Sequence, residues 1–298
     1  MTYAPIVLFA FNRLESLKAT VASLLTNAEA SSSDLFVFVD GPRANHDDDK
    51  ARVSAVQDYV RTISGFNSIS YAFSDHNKGL GPSIIDGVTR VINQYGSAIV
   101  LEDDLKLTDN FLTFMNQGLE LYRGESRVWS VCGHSNQVRV PAGYVADSYF
   151  CTRFSSWGWA TWLDRWNKVD WNLRDWHSVT QHHREFNKWG GSDCYGMLKE
   201  WHDGKNMSWA IRFCYAQFLQ DCLSLLPIQS KVVNEGFDGE GTNCKKWSRF
   251  KSVTDNTHQR HFVWPKSVEL NKTLFKSAMS YHGIAVRIWS RLMYILHS

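Results

Sequence analysis

Ile99-Val100-Leu101-Glu102-Asp103-Asp104-Leu105 decides the reading of this chain, because an apolar run with the character of a buried strand ends in three consecutive carboxylates. Charge buried without a partner is costly, so a strand that ends this way needs a cation beside it. Hard divalent ions such as Mg²⁺ and Mn²⁺ take carboxylate oxygens, and a Mg²⁺-type site uses one or two of them and leaves other positions to substrate phosphates. The same residues also suit a solvated strand-end turn, in which Asp and Glu bond to nearby backbone amides. Taken alone, the motif leaves both readings open.

The flanking sequence supplies the context. Ile6 to Phe9 reads as a buried strand, Arg13 to Leu25 as a helix, Leu35 to Val39 as a strand and Asp48 to Ile63 as a helix. Ser68 to Phe73, Pro82 to Tyr95 and Ala98 to Leu101 continue the pattern as strand, helix and strand. Such alternation predicts an α/β fold with a mainly parallel sheet covered by helices on both faces. Ligands of open sheets of this kind sit beyond the carboxyl ends of the strands. Those ends carry Asn12-Arg13, Asp40 to Arg43, Asp75 to Gly81 and Glu102 to Asp104, so one cleft can collect all four. That placement favours a metal and diphosphate site over a decorated turn. The loop Asn77-Lys78-Gly79-Leu80-Gly81-Pro82 leads into a helix whose N-terminus attracts anions. It matches neither a dinucleotide fingerprint nor a Walker motif, which argues against hydride transfer and P-loop chemistry.

Further along, Asp109 to Arg123 and Trp209 to Gln220 read as helices, and Val128 to Val131 and Leu223 to Leu226 as strands. The 298 residues suffice for a full core, and a formal net charge of +2 gives no global field for nucleic acid. Six cysteines without CxxC or zinc-type spacing read as reduced thiols of a cytosolic protein. No leader-like segment and no apolar run of membrane-spanning length is present, so the expected location is the cytoplasm. The thirteen tryptophans begin only at Trp129, which marks a change of character near residue 125. Most are expected to fill the core, although aromatic, loop-rich surfaces also stack sugars.

Six segments together carry a resemblance: Pro5 to Arg13, Val39-Asp40-Gly41-Pro42-Arg43, Asn77 to Gly81, Leu101-Glu102-Asp103-Asp104-Leu105, Ser156-Trp157-Gly158-Trp159, and Asn234 to Thr242. In this order they resemble a GT-A glycosyltransferase of the bacterial family-2-like type, itself similar to the N-acetylglucosaminyltransferase I family. The resemblance covers residues 4 to 250. It implies a catalytic domain over residues 1–265, with a nucleotide-sugar half (1–125) and an acceptor-side half with lid (126–265), followed by an amphipathic tail (266–298). It further implies a Mn²⁺ or Mg²⁺ cofactor held by Asp104, with Glu102 and Asp103 nearer the donor sugar or ribose. Phe11, Asn12, Arg13, Asp40, Arg43, Asn77, Lys78, Gly79 and Gly81 would flank the nucleotide, and the donor that the resemblance implies is a UDP-sugar. Trp157, Gly158 and Trp159 would line the donor-sugar and acceptor region, and Gly239 and Thr242 would belong to the lid. The family's lid usually ends in Gly-Thr-His, where this chain has Asn243.

The implied reaction moves a hexosyl or N-acetylhexosaminyl unit to a glycan or lipid-linked acceptor during bacterial surface polysaccharide synthesis. An inverting enzyme needs a carboxylate to deprotonate the attacking hydroxyl. The animal enzymes place it just after a Trp, but here Ser208-Trp209 is followed by Ala210. Asp238, Asp203 and Glu240 are the substitutes, with Glu200 a further acid in the same region. Ala210 and Asn243 favour the alternative of a weak or inactive carbohydrate-binding scaffold, and the acidic triplet opposes it. His134 has a structural and an acceptor-contacting reading, and His182-His183 lack a third metal ligand. Residues 281–298 mix Ile284, Ile288 and Trp289 with Arg287 and Arg291, as an interfacial helix at the inner face of the cytoplasmic membrane would, or one packed on its own domain.

Overall fold

The structure, a computed structural model, describes residues 3–236 and 250–297. Its first half alternates β1 (Ile6–Ala10), α1 (Leu14–Leu25), β2 (Asp34–Val39), α2 (Asp47–Thr62), β3 (Ser68–Phe73), α3 (Leu80–Tyr95) and β4 (Ser97–Glu102). Then come β5 (Leu105–Leu107), α4 (Phe111–Leu121), β6 (Val128–Cys132), β7 (Ser148–Cys151) and β8 (Trp159–Trp162). The helices α5 (Leu163–Trp166), α6 (Trp176–Gln181), α7 (His183–Gly190), α8 (Cys194–His202) and α9 (Trp209–Leu219) follow. The chain closes with β9 (Leu223–Pro227), β10 (Val232–Asn234), α10 (Lys272–Ser280) and α11 (Ile284–His297).

The expected α/β architecture is present as an eight-stranded sheet in the order β3-β2-β1-β4-β8-β6-β9-β7. It is mixed but mostly parallel, with only β8 and β7 running against the other strands. Alternation of side chains in the central strands divides the core. Ile6, Leu8, Ile99 and Leu101 face the layer built with α1, α2 and α4, whereas Val7, Phe9, Ala98 and Val100 face α3 and α9. In α1 the buried Leu17, Thr20, Val21 and Leu24 recur at helical spacing and form the stripe that covers the sheet.

Elements of the first half fall within two residues of their predicted ends. Helix α3 starts at Leu80 rather than Pro82, because Gly79 caps it at φ 81° and Pro82 falls in the first turn, where a missing N–H costs nothing. The second half departs more. Trp159 lies in β8, inserted antiparallel between β4 and β6, with Val100 opposite it. Its indole is 1% exposed and packs among Trp166, Trp209, Phe154 and Phe213. Trp159 is therefore a core residue and presents no surface to a sugar, a correction to the role implied for it. The tail expected from residue 266 also begins inside the body, since Leu274 and Ala278 of α10 are buried in the same core layer.

Candidate functional site

The acidic triplet sits where the sheet opens. β4 ends at Glu102, opposite Phe9 of β1, and the chain turns through Asp103 and Asp104 into β5. The turn is pinned from α1: the Thr20 hydroxyl donates to the Asp103 carbonyl at 2.9 Å and accepts from the Leu105 amide at 3.2 Å. Asp103 and Asp104 are both buried, and one guanidinium serves them. Arg13, at the start of α1, donates through Nη2 to Asp103 Oδ1, and to Asp104 Oδ2 at 3.0 Å. The Phe11 amide adds a bond of 3.3 Å to Asp103 Oδ2. Burial opposes the charge on Arg13, but Asp103 and Asp104 outweigh it and hold the guanidinium above its ordinary range.

One guanidinium does not compensate three carboxylates. Burial, followed by Asp104 and Asp103, pushes Glu102 up to about 8 against the pull of Arg13. Burial likewise pushes Asp103 up to about 6, with Arg13 opposing it. Asp104 Oδ1 is buried and has no hydrogen-bond partner among the described residues. Among the described residues the site therefore has negative charge to spare and an oxygen with no donor, as expected of a carboxylate ligand to a hard cation. Among the described residues no three His, Cys, Asp or Glu side chains form a closed metal cage. The donor set fits an ion held by one carboxylate and completed by phosphate oxygens, rather than a structural metal.

The segment Asn234-Glu235-Gly236 closes this side. β10 pairs antiparallel with β5, setting Asn234 opposite Leu105, and the Glu235 amide donates to the Asp104 carbonyl at 2.8 Å. Gly236 then passes so close that a Cβ there would stand 2.3 Å from Asp104 Oδ2. This part of the predicted lid motif lies against the acidic triplet. Asp238, Gly239, Glu240, Thr242 and Asn243 lie outside the described residues.

The neighbouring strand ends form a second network. Asp49, buried at the start of α2, accepts from Asn12 Nδ2 at 2.8 Å, from Arg43 Nε at 2.6 Å and from Arg43 Nη2 at 3.0 Å. The Arg43 bond holds the Asp49 carboxyl well below its usual range. Arg43 also lies over the Phe11 ring, 5.5 Å from its centre, so Phe11, Asn12 and Arg43 form one surface that continues to Arg13. Sequence reasoning passed over Asp49, because an acidic run in a first helical turn is ordinary complementarity to the helix dipole.

Asp40 organises the loop beside it. Its carboxylate accepts from the amides of Gly41, Lys78 and Gly79, each at 2.9 Å, and from Asn77 Nδ2 at 3.1 Å. Those four donors use its acceptor capacity, so Asp40 shapes the Asn77–Gly79 loop. Gly81 follows beneath the Met207 carbonyl, which an added Cβ would approach to 2.3 Å, so its glycine is a packing requirement. Lys78 points elsewhere, 3.8 Å from Asp86, at the rim of a cavity of about 190 Å³ that Phe38, Phe73 and Arg90 also wall.

Beyond β4 the antiparallel strand β8 brings Trp157 and Gly158 to the same edge of the sheet. Gly158 has φ 63°, and its carbonyl accepts from the Gly133 amide at 2.6 Å. His134, next in the chain, is 4% exposed and meets the Trp157 ring edge-on, with 4.3 Å between centres. Burial lowers its pKa to about 3, so the imidazole is neutral. Asp203 lies at the end of α8, ion-paired with Lys199 at 2.7 Å and Lys205 at 3.4 Å. The hydrogen bond from Lys199 holds it below the ordinary carboxylate range, which weakens it as a general base.

No family profile matches the sequence, and no curated protein is similar to it. Among solved structures, the mannosyltransferase PcManGT from Pyrobaculum calidifontis, in complex with GDP-Man and Mn²⁺, is 12% identical, with a TM-score of 0.39 over 60% of this chain and 52% of its own. TarS of S. aureus is 10% identical, with a TM-score of 0.32 over 49% of this chain and 24% of its own. The chain thus spans about half the length of the first and a quarter of the second.

Proposed function

We propose that this chain is a metal-dependent GT-A-type glycosyltransferase that takes a sugar from a nucleotide-sugar, with UDP as the first nucleotide to test, and transfers it to an acceptor hydroxyl. The acceptor class that suits the family resemblance is a glycan or lipid-linked saccharide of a bacterial surface polymer. The observation that carries the reading is the buried Oδ1 of Asp104, without a hydrogen-bond partner among the described residues, in a carboxylate cluster at the open end of a mostly parallel sheet.

In this reading Asp104 would hold a Mn²⁺ or Mg²⁺ ion, which would supply Lewis-acid stabilisation to a diphosphate leaving group. Arg13 fixes Asp103 and Asp104 and supplies positive charge beside the same oxygens. Phe11, Asn12 and Arg43 offer a ring edge, an amide and a guanidinium to the nucleoside, held in place by Asp49. The amides of the loop clasped by Asp40 shape the far wall. Trp157 and Gly158 present the sugar side, one strand over from Glu102.

Residues 284–297 add a second proposal, attachment to an anionic membrane surface. Ile284, Ile288 and Trp289 of α11 are 65%, 56% and 59% exposed, and residues 270–298 contain Lys272, Lys276, Arg287 and Arg291 but no acid. No helix among the described residues is long and apolar enough to cross a membrane.

Calorimetric titration with UDP-, GDP- and CMP-sugars, with and without Mn²⁺, tests the main reading. Mn²⁺-dependent binding of one class, abolished in Asp104→Asn, is the expected result. Failure of every nucleotide to bind would end it. The ion pairs of Asp203 and the alanine at position 210 favour a second reading, a sugar-binding protein without turnover. Nucleotide-sugar binding without consumption of donor in the presence of acceptor glycans would select it.

A further inference from the structure

A cavity of about 160 Å³ opens on the β8 side of the acidic triplet, walled among others by His134, Asn136, Ser155, Trp157 and Phe250. It is smaller than the roughly 300–1,000 Å³ clefts that hold drug-sized ligands, and suits a single ring. Register places it beside the site already described: Trp159 pairs with Val100, and stepping two residues outward along both strands reaches Trp157 and Glu102.

Its chemistry is specific. Nε2 of His134 and Oδ1 of Asn136 are buried and make no hydrogen bond among the described residues, although His134 Nδ1 is engaged by the Ser155 hydroxyl at 2.9 Å. Two buried polar atoms left unmatched on one wall are expensive, and a ligand hydroxyl, which both donates and accepts, satisfies either. Trp157 and Phe250, edge to face with centres 5.9 Å apart, add apolar surface of the kind on which sugar rings rest. Arg153, the guanidinium among the described lining residues, is committed: it donates to the Gly190 carbonyl at 2.9 Å, to Asp193 at 3.1 Å and to the Cys194 sulfur at 2.7 Å. Among the described lining residues this leaves no uncommitted guanidinium or ammonium group for a phosphate or a carboxylate.

We infer that this cavity binds an uncharged pyranose through hydroxyls matched to His134 Nε2 and Asn136 Oδ1, and that this ring is the terminal unit of the acceptor. Its identity as acceptor rests on the glycosyltransferase reading, whereas its binding does not. The test titrates the full-length protein with methyl glycosides of glucose, galactose and mannose, with N-acetylglucosamine, and with glucuronate and glucose 6-phosphate. Each titration is run with and without UDP and Mn²⁺. At least one neutral glycoside is expected to bind saturably at millimolar concentration, with the charged analogues excluded. Asn136→Leu and His134→Phe, checked for folding by circular dichroism, are each expected to weaken it roughly tenfold, as loss of one matched polar contact does. Binding by none of the neutral sugars, equal binding of the charged ones, or undiminished binding in folded Asn136→Leu would overturn the inference. The UDP and Mn²⁺ arm separates the two proposals. Nucleotide binding without glycoside binding removes only the cavity, and glycoside binding without any nucleotide removes only the transferase.

Discussion

Acidification from pH 7 to pH 5 is expected to destabilise this protein in a way that can be assigned to His134. The imidazole is 4% exposed, and burial lowers its pKa from 6.5 to about 3. Between those two values the unfolded chain takes up a proton at this residue and the folded chain does not, so stability falls as pH falls. At pH 7 the unfolded histidine is mostly neutral and little is lost. At pH 5 it is almost fully protonated, and the difference amounts to about 2 kcal/mol for this residue alone. Below about pH 3 the folded state binds the proton too and the loss stops growing. Other carboxylates titrate over part of the same range, so the readout is a difference: urea unfolding of the wild type and of His134→Gln at pH 7 and pH 5. The wild type should lose about 2 kcal/mol more than the variant on acidification. Equal losses would refute the claim that His134 is buried and held neutral beside Trp157.

Three further outcomes follow from the acidic cluster and the tail. Arg13→Met removes the cation shared by two buried carboxylates and should cost about 3–5 kcal/mol in chemical denaturation without metal, partly recovered on adding Mn²⁺; unchanged stability would show that the cluster does not depend on Arg13. Gly236→Ala places a Cβ 2.3 Å from Asp104 Oδ2 and should reduce Mn²⁺-dependent nucleotide binding at least tenfold while far-UV circular dichroism stays constant; wild-type affinity would mean that the segment moves aside freely. Replacing Ile288 and Trp289 together by Glu should abolish flotation with vesicles rich in anionic phospholipid, and flotation equal to wild type would exclude α11 as the membrane contact.

The first four strands were legible because each is a short apolar run with a helical stripe after it, and both signals are local in sequence. The acidic ending of β4 was legible for the same reason: three charges directly after a buried run are anomalous wherever the fold places them. What escaped depends on pairings distant in sequence. Trp159 reads as a sugar-facing aromatic in Ser156-Trp157-Gly158-Trp159, but antiparallel insertion of β8 sends Trp157 to the sheet edge and Trp159 into the core. Asp40 reads as a ligand contact until Asn77, Lys78 and Gly79 fold back and use its oxygens. Lys231 and Asp255 form a buried ion pair beneath the Phe262 ring, with Asn110 donating to the same carboxylate at 2.9 Å. No periodicity announces a pair 24 residues apart in sequence, and each residue alone looks like a surface charge.

The charge arrangement around Asp104 separates a site made for binding from one made for stability. A buried cluster selected for stability would balance its charges or replace them with apolar groups, since desolvation of unpaired carboxylates is not recovered within the fold. Here the neighbouring Asp49 illustrates the balanced solution: Arg43 and Asn12 use both its oxygens, and its carboxyl is held well below the ordinary range. A few residues away Arg13 is stretched across two carboxylates, Glu102 is pushed up to about 8, and Asp104 Oδ1 faces no donor among the described residues. Both clusters lie at the ends of parallel strands of one sheet, and at Asp49 the fold builds a closed ion pair. Among the described residues the imbalance at the second cluster is therefore a property of the site, and the divalent cation and diphosphate proposed above would answer it.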